Sequence, residues 1–328
     1  MLKTVVTRNL SSIILILIIL LPSGCTQDTG TGNSLPVRRA DVKSAFKEDL
    51  PEKYPAEISG DYSIFKDTMG DMTWIEIGEA AKDGVPVLMS TAVLEEHGPH
   101  MPTGIDAYVG YITCKLVKDE LESRGINSII VPPFYWGINA SNFMFPGTFT
   151  VRASTMKAVL NDILASLDSW GFENVFNFIT HGDSEHNIAT LQAFRETTAQ
   201  IDINARCVLS DRDISPADIK GNEHFLLIHK FPEFEMQQPE YLDFHAAYFE
   251  TGLVASFFPG LVDSNLARTL EPTNIPNSDA QRLLNDMKKY APLGYIGDPA
   301  GYDADFSRDL WIRNCKNIAD AIEKTIKD

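Results

Sequence analysis

Between residues 86 and 179 the chain alternates short apolar runs with longer amphipathic stretches, and this alternation restricts the fold more than any other feature. Residues 86–94 (Pro-Val-Leu-Met-Ser-Thr-Ala-Val-Leu) form a mostly apolar run of the kind buried on both faces of a parallel sheet. Asp106 precedes a helix-like stretch over 107–124 that stops at Gly125, and 126–131 reads as a strand halted by Pro132 and Pro133. The clearest helix opens near Ser154, the expected N-cap. It sets Met156, Val159, Leu160, Ile163, Leu164 and Leu167 on one face and ends before Gly171. Residues 175–179 are the next strand. Short joints between such elements impose right-handed crossovers, so an α/β fold is expected, its mainly parallel sheet covered by helices on both faces.

The first 25 residues stand apart. Lys3 and Arg8 precede the apolar run 13–21 and the boundary Pro22-Ser23-Gly24-Cys25, the layout of an export signal with a core too short to span a bilayer. Its end resembles a bacterial lipobox, in which Cys25 would carry the lipid and tether the protein in the periplasm or at the cell surface; Pro22 departs from that pattern, and ordinary signal cleavage or an uncleaved anchor are the alternatives. Residues 26–71 read as a flexible tether and N-terminal extension, leaving 72–328 as the folded domain. Hydrophobic residues at 44% and charged residues at 22% exclude a disordered chain. With 28 Lys+Arg against 45 Asp+Glu, the net charge of −17 excludes a nucleic-acid partner. Contact with an anionic membrane would then depend on the lipid anchor alone. Cys114, Cys207 and Cys315 show no CxxC spacing, so a zinc framework is excluded and buried thiols are expected.

Chemistry-bearing residues gather at strand ends. Glu95-Glu96-His97-Gly98-Pro99-His100 and then Asp106 follow the 86–94 run directly, and His181-Gly182-Asp183-Ser184-Glu185-His186 follows the strand at 175–179. In open α/β sheets, ligands bind outside the carboxyl ends of the strands, so neighbouring strands would point both clusters into one crevice. His245 and Glu250 form a third group before an apolar helix-like stretch. Mixed imidazole and carboxylate donors suit Zn²⁺, Mn²⁺ or Fe²⁺, and carboxylates offset the repulsion between two close cations. Water between such ions is acidified and becomes a nucleophile.

Several of these elements together resemble the creatininase (creatinine amidohydrolase) family. They are Glu-x-His-Gly-Pro-His-x-Pro with Asp106, Phe145-Pro146-Gly147-Thr148, the strand-end His181, His245-Ala246 with Glu250-Thr251, and Gly297-Asp298-Pro299. The similarity runs in the same order from about Met72 to the C-terminus. It implies a three-layer α/β/α sandwich, two divalent metal ions (zinc, manganese or iron), a small-molecule amide substrate and assembly into a homo-oligomer, as hexamers. Carried over by position, Glu95 and His97 would each bind one metal, Asp106 would bridge both, and His181 would join Glu95. Asp183 would serve the second metal, His245 would donate a proton near the substrate, and Glu250 would support or join the second site. Where many members have Asn-Gly-His-Gly-Gly-Asn, this chain has Ile179-Thr180-His181-Gly182-Asp183-Ser184, and Asn142-Phe143 replaces the usual Glu-His. The Trp-Asp-x-Glu pattern before His245 is also missing, so a substrate other than creatinine is expected.

Other residues carry simpler readings. His100 is expected to orient a ligand by hydrogen bonding, with direct metal binding as the alternative. His224 and His229, in a polar insertion over 215–243, are expected to be structural, and His186 fits either role. Glu96 should point away, to the surface or an interface. Phe145 to Thr148 reads as a shaped turn, and Phe134-Tyr135-Trp136 as pocket wall or core. The expected activity is metal-dependent hydrolysis of an amide or lactam C–N bond by a metal-bridging hydroxide. The alternative is a non-catalytic surface lipoprotein that binds a small molecule or metal on the same fold.

Overall fold

The computed structural model describes residues 66–212, 221, 223–235 and 240–327. The expected export leader, Cys25 and most of the expected tether lie outside the described residues. Met69–Asp71 make a helical turn, with Met69 buried in the core. Helix α1 (Trp74–Lys82) follows, opened by a capping box in which Thr73 and Glu76 exchange hydrogen bonds.

Five strands, β1 (Val87–Thr91), β2 (Ile129–Ile130), β3 (Asn174–Ile179), β4 (Asn204–Ser210) and β5 (Leu226–His229), form one parallel sheet in the order β2-β1-β3-β4-β5. Between them run α2 (Ile105–Ser123), α3 (Ala153–Trp170) and α4 (Ser184–Thr198); α5 (Tyr248–Phe257) and α6 (Ala304–Lys327) follow. The period of two in β1 builds both cores. Val87 and Met89 pack with Leu160 and Leu164 of α3, while Leu88 faces Val117 and Leu121 of α2 and Ile318 and Ile322 of α6. Helices therefore cover both faces, giving the expected α/β/α sandwich.

Two local expectations need correction. Helix α3 starts at Ala153 with Arg152 in the cap position, so Ser154 lies inside the first turn and caps nothing. Val159 is 42% exposed, because the buried stripe runs through Met156, Leu160, Leu164 and Leu167 at a narrower angle. Cys114, Cys207 and Cys315 are buried free thiols. Among the described residues, no helix is long and apolar enough to cross a membrane.

Candidate metal centre

β1 and β3 are hydrogen-bonded neighbours, with Thr91 beside Ile179, so the loops that leave them emerge side by side. After β1 the chain turns through Gly98, whose φ of 65° is left-handed and where a Cβ would stand 2.9 Å from His100 Nδ1. This turn brings Glu95 and His97 back over Asp106, in the first turn of α2. Thr180, leaving β3, donates its hydroxyl to the Asp106 carbonyl at 3.0 Å and ties the two loops together. Glu250 comes from the first turn of α5, its Oε2 accepting from Ala246 N at 2.5 Å.

The ligand atoms converge in overlapping groups: Glu95, Asp106 and His181; His97, Asp106 and Glu250; and Glu95, His97 and His245. His181 Nδ1 lies 3.2 Å from Glu95 Oε1 and 3.1 Å from Asp106 Oδ2. His97 Nε2 lies 3.5 Å from Asp106 Oδ1 and 3.4 Å from Glu250 Oε1. His97 Nε2, His181 Nδ1 and Asp106 Oδ2 are nevertheless buried without a hydrogen-bond partner. The far nitrogen of each ring is anchored: His97 Nδ1 is 3.1 Å from the Glu95 carbonyl, and His181 Nε2 is 3.1 Å from the Ile138 carbonyl. A ring that donates to a carbonyl through one nitrogen presents a lone pair at the other. Inward-facing lone pairs, buried carboxylates and orphaned donor atoms fit divalent cations.

The electrostatics agree. Burial disfavours the charged forms of His97 and His181, yet Glu250 and Asp106 around the first ring, and Glu95 and Asp106 around the second, raise both pKa values well above the ordinary range. Burial works against ionised Asp106, but these two imidazoles hold its pKa below the usual carboxylate range. Burial likewise opposes the charge of His245. Glu95 and Glu96 outweigh that and, with His97 opposing, push its pKa up to about 9.

Not every expected residue joins the cluster. Asp183 is absent from these groups because its carboxylate is spent elsewhere. As the N-cap of α4 it accepts from Glu185 N at 2.9 Å and His186 N at 3.3 Å, and its other oxygen accepts from Ala140 N at 2.7 Å. Glu250 occupies the position beside His97 instead. Glu96 does not point away. It is buried, its Oε1 is 3.2 Å from His245 Nε2, and its carbonyl is 2.9 Å from the same atom. Gly294, at φ 76°, leaves room for that carboxylate, which a Cβ there would overlap.

His245 faces the centre through Nδ1, 3.7 Å from Glu95 Oε1, and its ring lies 4.7 Å from that of His97. His100 stands behind, with Nε2 2.9 Å from Thr251 Oγ1. His186 packs edge-on beneath His181 at 5.2 Å, and His224 lies away from the centre, 3.0 Å from Thr198 Oγ1. Phe134 is core, whereas Tyr135 and Trp136 are exposed. The turn at Phe145 to Thr148 braces the loop, Thr148 Oγ1 accepting from Glu96 N at 2.9 Å. Sequence reasoning gave no role to Asn142, whose amide donates to Glu95 Oε2. Only its place before the Phe-Pro-Gly-Thr turn could have signalled it.

Comparison with known proteins places this geometry among relatives. A sequence profile for the creatininase family, described as creatinine amidohydrolase, matches residues 70–322. The creatinine amidohydrolase of Pseudomonas putida is 26% identical over 224 residues, covering 64% of this chain and 79% of the relative. A mycofactocin precursor peptide peptidase of Mycolicibacterium smegmatis is 21% identical over 208 residues, covering 61% and 80%. The crystal structure of a creatinine amidohydrolase superposes with a TM-score of 0.59 at 21% identity, covering 79% of this chain and 97% of that one. Creatininase structures include a Zn–Zn type and a manganese form.

Proposed function

The chain belongs to the creatininase family, and from that premise we propose that it is a metal-dependent amidohydrolase that adds water across an amide or lactam C–N bond, releasing a carboxylate and an amine. The observation that carries this reading is the pair of ligand groups sharing Asp106, each with one imidazole whose far nitrogen is tied to a backbone carbonyl. Glu95, Asp106 and His181 would hold one divalent ion, and His97, Asp106 and Glu250 a second. Zinc and manganese are the ions named for creatininase structures. Bound ions would supply Lewis acidity to the amide carbonyl and lower the pKa of a water at the centre.

The chain's own residues handle the proton. His245 Nε2 donates to the Glu96 carbonyl and lies within reach of its carboxylate, which leaves Nδ1 as the atom facing the centre. A proton on Nδ1 would pass to the departing nitrogen, and Glu96 would steady the ring in that orientation. Asn142 holds one oxygen of Glu95 and leaves the other for the centre. The lost Trp-Asp-x-Glu pattern supports a substrate other than creatinine. The leader and Cys25 support export and lipid tethering.

Metal analysis of purified protein, followed by assay against formamides, lactams and short peptides, tests the proposal. Bound divalent metal with hydrolysis of one amide class, abolished by chelation and restored by zinc or manganese, is the expected result. Metal-loaded protein inert on every class would refute it.

A further inference from the structure

A cavity of about 270 Å³ opens from the centre along the carboxyl ends of β3, β4 and β5. Its walls between the centre and β5 are largely apolar, with Phe178, Val208, Phe249, Leu253 and Trp311 among them. Arg212 is the sole Lys or Arg among the described residues that line it. Its position is fixed from several sides. The backbone N donates to Ser210 Oγ at 3.3 Å, and Nη2 donates to the Pro232 carbonyl at 3.3 Å. The guanidinium carbon sits 5.0 Å from the ring centres of both Phe231 and Phe234.

These described partners of the guanidinium are a carbonyl and two ring faces, none of them a carboxylate. Of the two carboxylates adjacent to it in sequence, Asp211 is turned to the backbone, where it accepts from Phe231 N at 2.9 Å, and Asp213 lies outside the described residues. A guanidinium held in place has donors directed for bidentate recognition of an anion, at little ordering cost. The same chamber therefore offers a ligand three things in order: a cation-binding centre, an apolar wall and a fixed cation.

Resting on the amidohydrolase reading, we propose that the substrate amide carries a carboxylate on an apolar body, and that Arg212 binds this carboxylate on the β4–β5 side of the cavity. A small neutral lactam would leave the apolar wall and the guanidinium unused. An amide of this kind fills the wall and anchors at Arg212, which presents its C–N bond to His245.

Alkyl hydroxamates, which ligate divalent metals, serve as probes on the zinc-loaded enzyme. One series of increasing chain length ends in a carboxylate and a matched series ends in a methyl group. At the chain length that spans the cavity, the carboxylate should tighten binding about tenfold or more, as a charge-assisted contact does. In Arg212→Gln this advantage should vanish, while the methyl series binds as it does to the unaltered protein and so reports an intact site. No carboxylate advantage at any length, or one that survives Arg212→Gln, overturns the proposal and leaves the amidohydrolase reading standing. Hydroxamates of both series that fail to distinguish zinc-loaded from metal-free protein would overturn the metal-centre reading and this inference together.

Discussion

Replacing Asp183 by Ala separates two roles that the sequence motif allows and the structure divides. Residue by residue, the family pattern places a metal-ligand carboxylate here, whereas the carboxylate observed caps α4 and receives Ala140 N–H. Loss of an Asp N-cap costs about 1 kcal/mol. Loss of an N–H bond to a charged acceptor costs about 1.5–3 kcal/mol when the group is buried. Asp183 is only partly buried, so water replaces some of the second contribution. The expected total is about 2 kcal/mol. Urea unfolding of the metal-loaded protein should show this loss with an unchanged slope. Elemental analysis should find the same metal content as the unaltered chain. Asp183→Asn, an equally good cap, should recover about 1 kcal/mol. If Asp183→Ala instead lost one equivalent of metal, while its metal-free form unfolded at the same urea concentration as the metal-free unaltered chain, the capping argument would fail and Asp183 would be a ligand.

Asp106→Ala removes the carboxylate common to both ligand groups, so metal content and activity should disappear together; a variant that kept its metal would defeat the assignment. His245→Ala should keep its metal and lower kcat by about 10²–10⁴-fold with little change in KM. Glu96→Gln, which weakens the support of that ring and keeps an amide oxygen that can accept from Gly98 N, should lower kcat by about 10–100-fold at full metal content. His229 is buried at the end of β5, and burial lowers its pKa from 6.5 to about 4. The unfolded chain therefore takes up the proton first, and the stability contributed by the neutral ring is present above about pH 6.5 and lost as the pH falls towards about 4. Between about pH 7 and pH 5, the unaltered protein should lose about 2 kcal/mol more than His229→Gln in urea titrations. Equal slopes for the two proteins would count against the burial argument.

The alternation of strands and helices was legible because each period matched one burial geometry. The 86–94 run contains β1, and the face of α3 is set by its apolar spacing. Glu95, His97, Asp106 and His181 could be singled out because they lie just beyond strand ends, where parallel strands deliver side chains to a common edge. Asp183 and Glu250 were harder to rank, since both are carboxylates near a histidine. A helix N-terminus can consume a carboxylate, and only the path of the backbone at Ala140 shows that this one is consumed. Glu96 was misplaced by assuming strand alternation beyond β1. The left-handed Gly98 breaks that alternation, and the space at Gly294, far along the chain, lets the carboxylate turn inward. The pinning of Arg212 by Phe231 and Phe234 depends on the pairing of β4 with β5, which local sequence does not announce.

The three segments that meet at Asp106 are the loop after β1, the loop after β3 and the start of α5, which lie far apart along the chain. An ion shared among them would act as a reversible cross-link over long loops, held only while these segments are docked together. An unfolded chain cannot assemble the same set of donors, so each bound ion adds its binding free energy to folding. Chelation should therefore loosen the packing of α5 against α6 as well as end turnover, so that the protein would report its own metal status through its resistance to heat and proteolysis.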